Sequence, residues 1–245
     1  MRYQRDELIN FIDEFNEIYK NRPIDQNNGG MKSAHLFPLY AYLKLKKPKI
    51  IFESGVYKGQ STWLIRRACP ESKIVSLDIN LSQRIYTDPL TLYIEKDITE
   101  IGISEIIREY DPDDVLVFFD DHQNFTDRVD FLLKEKIKNV IYEDNYPYDQ
   151  GDCISPKKIL EELPFTIKGE SISIHKDEAE KIRKNISHYE EFPPIFRDKK
   201  TRWGTDWSYN TSIPILGEKQ SDRYPEFYSE RFDYTWICYI EMMIK

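Results

Sequence analysis

With 245 residues the chain is long enough for one large α/β domain and a substantial buried core. A formal net charge of −8, with lysines and arginines scattered along the chain and no basic run, argues against nucleic acid as a partner. Charges from Arg2 to Lys20 and the absence of any membrane-length apolar run argue against export and membrane insertion. Cys69, Cys153 and Cys238 are widely spaced and fit neither a metal-ligand spacing nor a disulfide framework, so buried thiols in a reducing cytoplasm are expected.

In chain order, Leu8, Phe11, Ile12, Phe15, Ile18 and Tyr19 recur at helical spacing and predict an amphipathic first helix that stops near "NRPIDQNNGG". A second helix is expected from Ser33, as its cap, through Leu43 to the proline of "KKPK". Strands are expected at "KIIFESG" from Lys49, "KIVSLDI" from Lys73, "TLYIEKD" from Thr91, "DVLVFFDD" from Asp114 and "NVIYEDN" from Asn139. Helical patterns fall between most of them, at 60–68, 103–110 and 125–136. Such alternation predicts a doubly wound, Rossmann-like, mostly parallel sheet with helices on both faces. Beyond Ser155 the pattern weakens to a short helix over 155–163, a charged solvated helix in "KDEAEKIRKNI", and an aromatic, proline-bearing stretch over 190–209. "TSIPILG" and "YTWICYIEMMI" are expected to pair as an antiparallel hairpin at the sheet edge. This divides the chain into a helical cap over 1–48 and a main domain over 49–245, with a substrate-binding insertion at about 164–210.

The strands end in acids: Glu53, Asp78, Asp97, Asp120 with Asp121, and Glu143 with Asp144. In a doubly wound sheet the carboxyl ends of the strands line the ligand crevice. The first of them runs into "ESGVYKGQST". A P-loop would need Lys and then Ser or Thr directly after its last glycine, and a dinucleotide fingerprint would need three glycines. The chain offers only Gly55 and Gly59, with Glu53 in place of the first glycine, where its charge would repel a pyrophosphate. S-adenosylmethionine has no phosphate and carries an amino group and a sulfonium, so the acid favours it. On this reading Glu53, Gly55, Gly59 and Ser61 form the cofactor turn, Asp78 accepts the ribose hydroxyls, and Asp97 accepts the adenine amino group. The competing reading is that each acid caps the next turn. Paired glycines in "QNNGGM" predict a loop closing over the cofactor at Gly30, or a plain connector.

On these residues, from Lys49 to Tyr146, the chain resembles the class I S-adenosylmethionine-dependent methyltransferases. The form "ESGVYKGQST" resembles the subgroup of cephalosporin hydroxylase-like proteins and metal-dependent sugar O-methyltransferases. "FFDDHQN" and "YEDNYP" bring further acids and His122 to neighbouring strand ends. Packed carboxylates repel unless a cation or histidine compensates, and oxygen ligands favour magnesium or manganese over zinc. By position, the resemblance implies Glu143, Asp144 and either Asp120 or Asp121 as ligands, with His122 as general base. His122 follows Asp120 by two residues where the sugar enzymes have three, which leaves Asp120 and Asp121 open. The resemblance further implies a sugar or nucleotide-sugar acceptor for surface polysaccharide, in a cytoplasmic enzyme that is a monomer or homo-oligomer. A hydroxylase, an NAD-dependent oxidoreductase and a non-catalytic binding module on the same fold are the alternatives. His35, His175 and His188 read as ordinary packing or surface histidines.

Overall fold

The computed structural model describes residues 5–161, 165–167, 170–207 and 211–244. Two short helices, α1 (Arg5–Ile9) and α2 (Ile12–Tyr19), lead into α3 (Ser33–Lys46). The expected single first helix is therefore broken, by a turn at Asn10 and Phe11. Ser33 is the first residue of α3 and not its cap. Its amide and hydroxyl are both drawn to the Glu230 carboxylate near the far end of the chain.

The alternating region follows the expected order: β1 (Ile50–Ser54), α4 (Gln60–Ala68), β2 (Lys73–Asp78), β3 (Thr91–Glu95), α5 (Ser104–Ile107), β4 (Val115–Phe119), α6 (Phe125–Lys134) and β5 (Asn139–Tyr142). Then come α7 (Pro156–Leu160), a small antiparallel pair β6 (Phe165–Ile167) and β7 (Glu170–Ile172), α8 (Lys176–Lys184), β8 (Ile186–Glu191), α9 (Pro225–Ser229) and β9 (Cys238–Met242). The main sheet has the order β3-β2-β1-β4-β5-β9-β8. The first five strands are parallel, and β9 runs antiparallel to both of its neighbours.

All five residues of β1 and of β4 are buried, as strands covered by helices on both faces must be. Period-two alternation sends Ile51 to a core shared with α1 to α4 and the C-terminal aromatics. Ile50 and Phe52 go to a second core under α5, α6 and α8. The N-terminal helices thus share one core with the sheet.

The expected C-terminal hairpin is half right. "YTWICYIEMMI" supplies β9, but "TSIPILG" forms no strand. Pro214 lacks the amide a ladder needs, and Ile215 and Leu216 only bond back to the carbonyls of Pro194 and Ile195. The partner of β9 is β8, and β9 lies inside the sheet while β8 takes the edge. Cys69, Cys153 and Cys238 are buried and unpaired, as expected.

Strand order reverses between β1 and β4, so the carboxyl ends of these two strands frame the topological switch point where open α/β sheets bind ligands.

Candidate active site

After Ser54 the chain turns at Gly55, with φ +98°. A Cβ there would lie 1.9 Å from the carbonyl oxygen of Asp120, so the two strand ends meet only because this position has no side chain. Asp120 N donates to Ser54 O at 2.8 Å across the same junction. The turn is held from below by Asp78, whose Oδ2 accepts from Val56 N at 2.8 Å and Tyr57 N at 3.0 Å. Its Oδ1 accepts from Asn80 N at 2.9 Å. A phosphate would find these donors already taken and a negative charge in its place, which supports the exclusion of P-loop and pyrophosphate readings. Because Asp78 organises the turn as well as facing the cleft, Asp78→Ala is expected to lower stability by roughly 1–3 kcal/mol. If the cleft takes S-adenosylmethionine, as the sequence leads one to expect, its affinity should also fall about tenfold or more through the loss of one charge-assisted bond. Denaturant melts and calorimetry on one preparation check both; an unchanged affinity would reject the expected ribose role of Asp78.

Two clefts open at this edge. One, of about 400 Å³, is lined by Gly30, Gly55, Asp78, Ile79, Asp97 and Asp121 among others. The second, of about 430 Å³, is lined by Lys32, His35, Glu143, Tyr146 and Arg202. Gly29, Gly30, Asp120 and His122 line both, so the clefts join at the acid and the histidine. The loop carrying Gly29 and Gly30 is tied down over the turn by Tyr57, whose hydroxyl donates to Asn28 O at 3.1 Å.

Four predicted residues lie outside both linings: Glu53, Gly59, Ser61 and Asp144. Glu53 is buried beneath α4, where Thr62 Oγ1 donates to it at 2.6 Å and Ser76 Oγ also donates, and burial raises the pKa of its carboxyl. Gly59, at φ +90°, makes room for the carbonyl oxygen of Tyr86, which a Cβ would approach to 2.6 Å. Ser61 is buried in the first turn of α4.

Asp97 and Asp121 are joined by Arg128 of α6, which is 3% exposed. Its guanidinium donates to both oxygens of Asp97 and to Asp121 Oδ2, each at 2.8 Å, and Ser54 Oγ donates to Asp121 at 2.6 Å. Burial works to raise the pKa of Asp97, but the bonds from Arg128 and Thr99 outweigh it and hold the value at about 2. Removing one partner of a buried pair leaves uncompensated charge, so Arg128→Ala is expected to destabilise the fold by about 3–5 kcal/mol. A chemical denaturation midpoint equal to that of the wild type would contradict this.

Asp120, His122 and Asp144 each offer a ligand atom, and these atoms lie within 4.8 Å of one another. His122 takes a left-handed conformation, φ +54°, that lets its amide donate to Asp144 Oδ2 at 2.9 Å. Its Nδ1 stands 3.2 Å from Asp144 Oδ1 and 3.3 Å from Asp152 Oδ1. The bond to Asp152 and the field of Asp144 raise its pKa to about 9. Asp144 is fully buried, and its Oδ1 makes no hydrogen bond with any described residue. Burial and the neighbouring Glu143 charge push the pKa of both Asp120 and Asp144 well up. Two buried acids side by side, one with an oxygen that makes no hydrogen bond among the described residues, suit a divalent cation with oxygen ligands and leave the imidazole beside it.

Glu143 takes a different partner, His35 Nδ1, and this contact overcomes burial to lower its pKa. His35 Nε2 accepts from Thr235 N at 2.8 Å. A backbone amide can only donate, so the proton sits on Nδ1 and points at Glu143. His35 therefore contacts a predicted site residue and is not an ordinary packing histidine, a contact that no local pattern signals because Glu143 lies 108 residues away. Asp152, which faces His122, and Arg128 and Arg202, which line the clefts, are likewise absent from the residues the sequence singles out. Trp207 packs against Tyr234 and Trp236, and Tyr209 lies outside the described residues.

No protein-family model and no curated protein matches the chain. Among solved structures, it is similar to the O-methyltransferase from Bacillus cereus in complex with SAH, at 11% identity over 100% of this chain and 93% of that one, with a TM-score of 0.45. It is also similar to a putative O-methyltransferase from Klebsiella pneumoniae, at 11% identity over 98% and 90%, with a TM-score of 0.46. The third is the CmcI-N160 apo structure, at 18% identity over 50% of this chain and 57% of that one, with a TM-score of 0.41. The chain thus spans little more than half the length of CmcI. These likenesses concern the fold alone.

Proposed function

We propose that the chain is an S-adenosylmethionine-dependent O-methyltransferase that methylates a hydroxyl of a sugar with the help of a divalent cation, magnesium or manganese. The observation that carries this reading is the junction of the two clefts at Asp120 and His122. A methyl donor in the first cleft and a hydroxyl acceptor in the second would meet beside a half-exposed imidazole and a buried acid. In the first cleft Asp78 faces the ribose hydroxyls, Asp97 faces the adenine amino group, and Ile79, 72% exposed beside Asp78, covers the base. Asp120 and Asp144 would hold the cation. The bonds of Asp121 to Ser54 and Arg128, and of Glu143 to His35, support giving these two acids supporting roles. When bound, a divalent cation supplies positive charge that lowers the pKa of an adjacent hydroxyl.

The chain's own residues do the rest. The acceptor oxygen attacks the methyl carbon in line with the departing sulfur, the carbon–sulfur pair returns to sulfur, and His122 takes the hydroxyl proton. Residues from the 1–48 segment and Arg202 of the 164–210 segment both line the second cleft, which supports their reading as cap and acceptor-binding insertion. The loop at Gly29 and Gly30 borders both clefts, in keeping with a closing role. The acceptor is taken as a sugar of the kind built into surface polysaccharide, reached in the cytoplasm. Among the described residues no helix is long and apolar enough to cross a membrane.

Titration of the full chain with S-adenosylmethionine, NAD and NADP tests the reading. Micromolar binding of the sulfonium cofactor alone is expected, and a preference for a nicotinamide nucleotide would replace it with the oxidoreductase alternative. Methyl transfer from labelled cofactor to a panel of sugars separates an enzyme from a binding module.

A further inference from the structure

Most charged side chains lining the second cleft have a counter-ion. Lys32 is paired with Asp233 at 3.1 Å, Glu143 with His35, and His122 with Asp144 and Asp152. Two lack one among the described residues. Asp120 stands at the junction with the first cleft, where the proposed cation accounts for it. Arg202 is the other: its guanidinium makes no ion pair or hydrogen bond with any described residue.

Arg202 is exposed and lies against two aromatic rings. Its guanidinium carbon lies 4.6 Å from the centroid of the Trp203 ring and 5.9 Å from that of Tyr146. The two rings meet edge to face, with centroids 5.9 Å apart and planes at 75°. Tyr146 is itself a rigid wall. It is 5% exposed, its carbonyl accepts from Ser155 Oγ, and a Cβ on Gly151 would come within 2.2 Å of its ring. Aromatic faces hold a guanidinium by its π surface and leave its N–H edge unspent. That edge is the group that takes a carboxylate or phosphoryl oxygen pair in two parallel bonds. Tyr146 also follows Asp144 by two residues, so the same short segment carries an acid of the transfer junction and one wall of this cation clamp.

We propose that the acceptor carries an oxyanion, phosphoryl or carboxylate, and that Arg202 binds it, seated on Trp203 and Tyr146, so that the reacting hydroxyl is presented at Asp120 and His122. This rests on the reading of the second cleft as the acceptor site. It makes Arg202 a specificity-determining residue: a neutral acceptor leaves the guanidinium unpaired, while an anionic one is fixed at both ends.

Calorimetry on the full chain saturated with S-adenosylhomocysteine, using glucose 1-phosphate, glucuronate and glucose as probes, tests it. At least one anion is expected to bind about tenfold or more tightly than glucose, with an advantage that shrinks as salt is raised. In Arg202→Gln that advantage should fall to about twofold or less, while affinity for S-adenosylhomocysteine stays unchanged because Arg202 does not line the first cleft. Arg202→Lys should retain part of it, since the charge remains and the two-pronged geometry is lost. Preference for glucose 1-phosphate assigns a phosphoryl group, and preference for glucuronate a carboxylate. The proposal is overturned if neither anion outbinds glucose, or if the advantage survives in Arg202→Gln. Failure of S-adenosylhomocysteine to bind the wild type would instead sink the cofactor reading, and the anion titrations repeated without it would still report on Arg202.

Discussion

Chelating the divalent cation, or replacing Asp144 by Asn, is expected to reduce methyl transfer by about a thousandfold or more while cofactor binding survives, on the scale of several kcal/mol that metal-assisted charge stabilisation supplies. Asp144 is fully buried; its Oδ2 accepts from the amide of His122 at 2.9 Å, while its Oδ1 faces His122 Nδ1 at 3.2 Å and makes no hydrogen bond among the described residues. The asparagine keeps the size and that acceptor but removes the charge, so a loss of activity can be separated from a loss of fold. The cofactor contacts proposed for Asp78, Ile79 and Asp97 lie on other strand ends and are untouched. Magnesium or manganese should restore the chelated wild type and fail to restore Asp144→Asn. Full turnover in excess chelator after dialysis would leave a methyltransferase driven by a base alone.

His122→Ala should lose roughly 10²–10⁴ in turnover, with partial recovery at high pH as hydroxide takes over the base role. The difference from Asp144→Asn is one of kind: the acids remain and so does the metal requirement. The pKa of about 9 sets a further expectation for the chelated protein. A histidine whose folded pKa lies above its unfolded value of about 6.5 contributes stability that is complete below that pH. This contribution disappears as pH rises through about 9. The melting temperature of the chelated wild type should therefore fall over that window more than that of His122→Gln, by a modest amount because the side chain is half exposed. Asp152 and Asp144 hold the imidazole proton more tightly when no cation offsets their charge, so metal binding and base strength are linked through the same carboxylates. Full activity in His122→Ala would move the proton to an acid. Asp120 is then the better candidate than Asp121, whose carboxylate is engaged by Arg128 and Ser54.

What the sequence determined by itself was everything that depends on neighbours along the chain. Buried β-branched runs at β1, β2, β4 and β5, the helical pattern of α4, and acids at strand ends are properties of a few consecutive residues, and they predict the parallel sheet and the edge on which ligands bind. The need for glycine at position 55 was also legible. Its reason was not, because the atom that a side chain would strike belongs to Asp120, on the strand across the switch point. Only the tertiary structure decided which acids do what. Asp120 and Asp121 are adjacent and chemically alike, yet one faces His122 and Asp144 while the other is held by Arg128. His35 reaches Glu143 across 108 residues, and β9 slots between β5 and β8. Charge pairing and strand pairing between distant segments depend on three-dimensional distance, and burial strengthens each such pair by removing the water that would screen it, so local periodicity carries no trace of them.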